Sequence, residues 1–304
     1  MFSNHAGINI TETKLQIVEI SYKDDSFYLE NVEQAVHLES ISPRMPEEKF
    51  IGILQESFNR ATKRKAVSSS RVSFALPNNF FKIFEIPYDD SLVKRDLNDH
   101  FRWELSVLFP ECSNSDFYIQ HIEIDKSRIR PEKKAIVLAI EKSLVKTINV
   151  FCVQNNLELK YVDNVHLASN AFLNLDKSVA SDELALSLYI DQNFSSISAI
   201  DRSSPFYFKI LDSNSQNLFD ELTRSVKTLG DFNLSLKDFS RILLYGQDLT
   251  DEFENKLKNF FGLPLKKTNP FEHLKVEQSV LENHFYKYKF NSFAAAAGIA
   301  IRII

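Results

Sequence analysis

The feature that most constrains this chain is a pattern written twice. In "GINITETKLQIVEI" apolar side chains alternate at Ile8 and Ile10, stop at a polar tip from Thr11 to Thr13, and resume at Leu15 and Ile17, with Val18 and Ile20 following. Alternation broken by a short polar tip predicts strand, turn, strand. "SYKDDS" reads as a second turn and "FYLENVEQAV" as a third strand. "PEEKFIGILQESFNRATKR" is a helix, with Phe50, Ile53, Leu54 and Phe58 at helical spacing behind Pro46. In the second half, "LALSLYIDQNFSSISAIDRSSPFYFKIL" (184–211) again runs strand, polar tip, strand, turn, strand, and "NLFDELTRSVKTL" adds a helix. Sliding the first unit by 182 residues lays Asn9 on Asp191, Thr11 on Asn193, Thr13 on Ser195, Leu15 on Ile197 and Ile17 on Ala199. Two β-β-β-α units in one chain point to a duplicated α/β core. The competing explanation is chance, because antiparallel meanders are common.

Between the units, 71–162 has strands and helices of its own. "RVSFALP", "FFKIFEIP", "DFYIQHIEID", "KKAIVLAIE" and "LELKYVDNV" read as strands. "LVKRDLNDHFRWELSVLF" places Leu92, Leu97, Phe101, Leu105 and Leu108 along one helical face, and "KSLVKTINVFCVQNN" is a second helix. The expected organisation is a first core half over 1–70, completed by 163–180, an inserted α+β subdomain over 71–162, and a second core half over 181–304. In the last stretch "FSRILLYG" is a strand ending at Gly246. "TDEFENKLKNFFG" is a helix closed by Gly262, "LPLKKTNPFEHLK" is a strand and loop, and "NSFAAAAGIAIRI" is a closing helix. The stripe Phe253, Leu257, Phe260 and Phe261 is expected in the core.

The bulk numbers exclude several classes. With 304 residues the chain is long enough for two domains. A net charge of −5 with no basic half argues against nucleic acid as the main partner. The basic cluster Arg60, Lys63, Arg64, Lys65 and Arg71 is local and reads as a solvated helix end. Two cysteines, Cys112 and Cys152, suit a reducing compartment rather than a disulfide framework. No signal peptide is expected from "MFSNHAGINI", and no apolar run reaches the ~18 residues of a membrane span. The seven histidines fall in no H-E-x-x-H spacing, and the chain contains no G-x-x-x-x-G-K-[ST], G-x-G-x-x-G or G-x-S-x-G. Only six glycines occur, against the ~7% of ordinary chains. Loops that bring backbone N–H groups onto phosphate depend on glycine, so few such loops are expected.

The ordered set of segments resembles the actin-like ATPase superfamily, in particular the type IV pilus assembly protein PilM and the related division protein FtsA. "HAGINITETKLQIVEI" is similar to the first phosphate hairpin of that family, and "LSLYIDQNFSSISAI" to the second. "VSFALPNNFFKIFEIPYDDSLVKRDLNDHFRWELSVLFPE" resembles the start of the inserted subdomain, and "KKAIVLAIEKSLVKTINVFCVQNNLELKYVDNVHLASNAFL" the return to the core. "RILLYGQDLTDEFENKLKNFFGLPLKKTNPFEHL" resembles the adenosine-motif strand, helix and following strand, and "AAAAGIAIRII" the C-terminal helix. The resemblance spans nearly the whole chain and implies an actin-like, ribonuclease H-like core. It also implies a cytoplasmic protein held peripherally at the inner membrane, where it docks the N-terminal cytoplasmic segment of a bitopic membrane partner in a groove beside the inserted subdomain. The sequence leaves oligomerisation open.

The same resemblance marks a candidate nucleotide site at Asn9, Thr11, Thr13, Lys14, Asp191, Asn193, Ser195, Ser196, Gly246 and Gln247. The family's first hairpin carries Asp and then Gly, where this chain has Asn9 and Thr11. The second keeps an acid, Asp191, but has Asn193 at the glycine position. A paired-glycine loop becomes Gly246-Gln247, and another glycine pair becomes Asp212, Ser213 and Asn214. An intact site holds phosphates with hairpin N–H groups and holds Mg²⁺ through water on carboxylates. Asp191 could still bind hydrated Mg²⁺, and the hydroxyls of Thr11, Thr13, Ser195 and Ser196, with Lys14, could meet phosphate. The other reading is that Asn9 and Asp191 end strands and stabilise tight turns, as Asx residues do. A degenerate site without cofactor is therefore expected. A working ATP-binding and hydrolysing enzyme is the alternative, and a small-molecule kinase of the same superfamily a more distant one. Trp103 is either a partner anchor or a residue packed on its own subdomain.

Overall fold

The computed structural model describes residues 4–87, 91–112, 116–124, 133–175, 183–212, 217–247 and 249–302. The first unit forms β1 (His5–Ile10), β2 (Lys14–Lys23), β3 (Ser26–Val36) and α1 (Glu47–Ala61), followed by β4 (Arg71–Leu76). Next come β5 (Phe81–Pro87), α2 (Lys94–Leu108), β6 (Phe117–Ile124), β7 (Lys134–Glu141), α3 (Lys142–Gln154), β8 (Glu158–Asn164) and α4 (Val165–Ser169). The second unit supplies β9 (Leu184–Ile190), β10 (Phe194–Asp201), β11 (Ser204–Asp212), α5 (Leu218–Leu229), β12 (Phe239–Gly246), α6 (Asp251–Phe261) and β13 (Leu265–Lys267). The chain closes through β14 (Lys275–Val276), α7 (Gln278–Leu281), α8 (His284–Tyr288) and α9 (Ala294–Ile301).

Two sheets share one plan. In order they run β14-β3-β2-β1-β4-β8 and β11-β10-β9-β12-β13. Within each, the first three strands of the unit pair antiparallel, and the next two join parallel on the far side of the first strand. The duplication expected from the sequence is thus present in strand order and direction. Its offset differs from the expected one. Ile8 faces Ile17 as Leu188 faces Ile197, so the two hairpins correspond 180 residues apart, not 182. The bulges agree, falling between Glu19 and Ile20 in one sheet and between Ala199 and Ile200 in the other. Asp191 therefore corresponds to Thr11, Asn193 to Thr13, and Tyr189 to Asn9. Matching polar residue types overshot by one full pleat repeat, which leaves the inward–outward alternation unchanged and so gave no warning.

A third sheet, β5-β7-β6, stands between β4 and α3, where the second half passes from β12 to α6. Strand β4, and β8 as far as Val162, lie within the span 71–162 expected to form the inserted unit, yet both strands pair in the first sheet. One face of the inserted sheet takes α2, with Leu97, Phe101 and Leu105 against Ala135, Val137 and Ala139.

The core positions the hairpins. Ile8, Ile10, Leu15 and Ile17 pack with residues of α1 and α3, including Leu54, Phe58, Ile148 and Phe151. The other face of β1 and β2 meets α9, every residue of which is buried. Close contact here depends on two missing side chains. A Cβ on Gly7 would stand 1.9 Å from the carbonyl oxygen of Ala296, and one on Gly298 1.9 Å from that of Ala168. Val165, Ala168, Tyr189, Leu243, Tyr245, Ala294 and Ile299 form one buried cluster, so α4 and α9 bind the two halves together. In α6, Leu257 and Phe261 are buried while Phe253 and Phe260 pack partly buried on the same core, as expected. Arg64 pairs with Glu33, and Lys65 donates to the carbonyl of Glu30, so part of the basic cluster is spent on its own domain. Both cysteines are buried and free, and burial pushes the Cys152 thiol up to about 12. No helix among the described residues is long and apolar enough to cross a membrane.

Candidate functional site

The two hairpin tips face each other across the molecule. Glu12, at the first tip, accepts from the Asn193 amide of the second and, at 3.2 Å, from Asn79 Nδ2. Three N–H groups of the first tip are bonded within the chain. Thr11 N–H donates to Lys14 O at 2.8 Å, and Thr11 Oγ1 accepts from Lys14 N–H at 2.9 Å and Thr13 N–H at 3.3 Å. His37 N–H and Ile41 N–H hold the carbonyls of Thr13 and Glu12. In the second hairpin, Gln192 N–H donates to Asp191 Oδ1 at 2.8 Å, and Asp191 N–H and the Ser195 hydroxyl meet at 3.4 Å. These are turns closed by Asx and hydroxyl side chains.

Beneath the tips lies a buried amide network. Asn9 Nδ2 donates to Gln16 Oε1 at 2.9 Å, and Gln247 Nε2 donates to the same oxygen at 3.1 Å. Gln16 Nε2 donates in turn to Gln34 Oε1 at 3.0 Å and Ser292 Oγ at 3.1 Å. The Tyr189 hydroxyl stands beside the amides of Asn9 and Gln247, and burial raises its pKa far above the usual phenol range. Gly246 makes this approach possible. Its φ is +131°, and a Cβ there would lie 2.0 Å from the carbonyl of Ile190, the same oxygen that accepts from Gln247 N–H at 3.0 Å. Side chains from β1, β2, β9, the end of β12 and the lead into α9 thus meet one another at the centre of the two halves.

Ser196 belongs to a different network. Its hydroxyl meets His166 Nδ1 at 2.7 Å and accepts from Asn78 Nδ2 at 3.0 Å, while His166 Nε2 meets the Ser187 hydroxyl at 2.8 Å. Asn164 caps α4, accepting from His166 N–H, and donates to Asn78 Oδ1 at 2.9 Å. Burial depresses His166 to about 3 and His37, which meets the Ser57 hydroxyl, to about 4.

The structure therefore brings Asn9 and Gln247 together, and sets Thr11, Thr13, Lys14, Asp191, Asn193 and Ser195 on two facing tips, with Ser196 turned to the linking helix α4. Ser213 and Asn214 lie outside the described residues, as does the side chain of Asp212. Among the described residues, no three His, Cys, Asp or Glu side chains are grouped to hold a metal ion. Sequence reasoning missed Glu12, Gln16, Tyr189 and His166. No signal set Gln16 apart in the sequence, because Glu19 and Ser21 are polar positions of the same strand.

A second feature lies beside the inserted sheet. A cavity of about 310 Å³ is lined by Phe81, Leu138, Ile140, Val145, Leu159 and Val162, by the buried carboxylate of Asp163, and toward solvent by Tyr118, Gln120, Lys160, Tyr161 and Arg302. Arg302 pairs with the carboxylate of Asp163 and donates to Leu167 O at 3.1 Å. Burial raises the Asp163 pKa against the opposing pull of Arg302. On the opposite face of the inserted sheet, α2 exposes Trp103 beside the ring of His100.

No family model matches the chain, and no curated protein matches it. Solved structures do. A chain of the PilM–PilN type IV pilus biogenesis complex aligns over 98% of both chains at 16% identity, with a TM-score of 0.73. A Bacteroides thetaiotaomicron protein of unknown function, described as having an actin-like ATPase fold, aligns over 97% of this chain and 95% of its own (12% identity, TM-score 0.53). The fold is actin-like. The cytoplasmic domain of EpsL, an inner membrane component of the Vibrio cholerae type II secretion system, aligns over 90% of this chain and 89% of its own, at 11% identity and a TM-score of 0.50.

Proposed function

We propose that this chain is an actin-fold scaffold of a type IV pilus or type II secretion-like assembly. It seats the N-terminal cytoplasmic segment of a bitopic inner-membrane protein and so lies on the cytoplasmic side of that membrane. The observation that carries this reading is the groove between β8 and the inserted sheet, with apolar residues on its floor and tyrosines and charges on its rim. The likeness in fold to a chain solved in the PilM–PilN complex and to the cytoplasmic domain of EpsL supports it. On this reading the inserted unit is the stretch between β4 and α3, and its β5-β7-β6 sheet serves as one wall of the dock.

The nucleotide site is degenerate on the same proposal. The tip N–H groups of Thr11, Thr13, Lys14, Asp191 and Gln192 are bonded within the chain, and Asn9, Gln16, Gln247 and Tyr189 fill the space beneath. Asn9 supplies no anionic contact for Mg²⁺. Titration of the purified protein with ATP and Mg²⁺ is expected to show no saturation at about 1 mM, a binding energy weaker than about 4 kcal/mol. Micromolar binding that disappears in Asp191→Ala would establish the working ATPase instead. For the dock, Tyr161→Glu places a charge at the groove rim on a side chain that is half exposed. It is expected to abolish co-purification of the membrane partner while leaving the thermal midpoint within a few degrees. Unchanged co-purification would refute the docking.

A further inference from the structure

Strand β4 runs parallel to β1, so both end on the side where the hairpin tips meet. A single 3₁₀ turn, Asn78–Phe80, follows β4. Pro77 starts it at φ −57°, and Phe80 N–H closes it on Pro77 O at 3.1 Å. The turn is fastened at both ends. Leu76 pairs with Asn164 of β8, and Phe80 is buried in the first core with its ring edge-on to Phe50. The two asparagines between these anchors have little freedom, and each reaches a different hairpin. Asn78 is buried and takes the second. Its Nδ2 donates to Phe194 O at 3.1 Å and to Ser196 Oγ at 3.0 Å, both on β10, while its Oδ1 accepts from Asn164 Nδ2 at 2.9 Å. Asn79 takes the first. Its Nδ2 donates to one carboxylate oxygen of Glu12 at 3.2 Å, and the other oxygen of Glu12 accepts from Asn193.

We propose that Asn78 and Asn79 form a clasp that holds the two halves closed on each other with no ligand between the hairpins. The inference rests on the degenerate site proposed above and adds how closure is kept. Where a bound molecule joins two halves, closure comes and goes with that molecule. Here the bonds across the cleft belong to the chain. Parting the halves breaks the two Asn78 bonds to β10 and the Glu12–Asn193 bond together, and the last has an ionised acceptor, which strengthens it. The Gln247–Gln16 bond beneath adds a further tie between the halves. One closed arrangement is therefore the resting state, and the surface that the two halves present together is kept without nucleotide.

The test measures the distance between spin labels on the two halves of the full chain, at Glu48→Cys on α1 and Lys227→Cys on α5. Both positions are exposed, whereas Cys112 and Cys152 are buried. The clasp predicts one narrow distance that about 1 mM ATP with Mg²⁺ does not shift. Asn78→Asp removes both donors at nearly unchanged size and should enlarge the open, longer-distance population about tenfold or more. Asn79→Ala, which removes one arm, should enlarge it less, and Glu12→Ala, which frees Asn79 and Asn193 together, more than Asn79→Ala. Should Asn78→Asp fail to fold, the last two variants, on half-buried side chains, decide the matter by the same reading. Variants that melt at lower temperature yet keep the single narrow distance would make these side chains ordinary packing residues and overturn the clasp. A parent that shows two distances with and without ATP would overturn the clasp and leave the degenerate site standing. A broad parent distribution that ATP narrows would overturn both.

Discussion

At the scale of single residues, the polar side chains of the interior face one another. His166 is buried between two serine hydroxyls, and burial holds its pKa at about 3 against an ordinary 6.5. Between those values the unfolded chain binds a proton that the folded chain refuses. Stability therefore falls as pH drops from about 6.5 toward about 3, by about 1.4 kcal/mol per pH unit from this group. Replacing His166 by Gln should remove that share. Between pH 6.5 and pH 4.5 the variant is expected to lose about 2–3 kcal/mol less than the parent in denaturant titrations, and equal losses would show that His166 does not titrate as described. The sequence identified Asn9 and Gln247 as site candidates but not the network joining them. Alternation marks Gln16 as facing away from the apolar side, and in a strand buried on both faces the other side is interior as well. The offset of 182 failed for a related reason. It matched Asn to Asp, whereas backbone ladders, which no residue type reveals, align Thr11 with Asp191.

Among elements, α3 joins the inserted stretch to the first sheet. Phe151 is fully buried and meets Phe58 and Phe74 edge-on, with ring centres 5.5 and 6.2 Å away. Phe151→Ala should cost about 3–5 kcal/mol, the transfer loss plus the cavity left behind. Val153, two residues on and exposed, should tolerate Ala within about 0.5 kcal/mol. A similar cost for both would mean that α3 does not pack on the sheet as described. Element types were legible because caps and periodicities agree with the fold. Thr250 caps α6 at its start, and Gly262 ends it at φ +65°. Sheet membership was less legible. β4 and β8 lie 82 residues apart at their nearest ends, and their parallel pairing depends on the fold of everything between them.

At the scale of the whole molecule, the two halves meet through α4, α9 and the amide network, and the groove opens at the other side of the first sheet's edge. The duplicated plan was readable because both units repeat the same meander and helix. The groove was not, because it is made by β8, the inserted sheet and Arg302, which are distant in sequence. On the proposed function, this groove holds a membrane protein's cytoplasmic segment. The most direct test places a photo-activated cross-linking amino acid at Tyr161 in cells making the native assembly, with Val153 as an exposed control. Docking in the groove gives an adduct at Tyr161, absent at Val153, that maps to the N-terminal cytoplasmic segment of a single-span inner-membrane protein. Equal adducts at both positions, or none with a membrane protein at Tyr161, would contradict it.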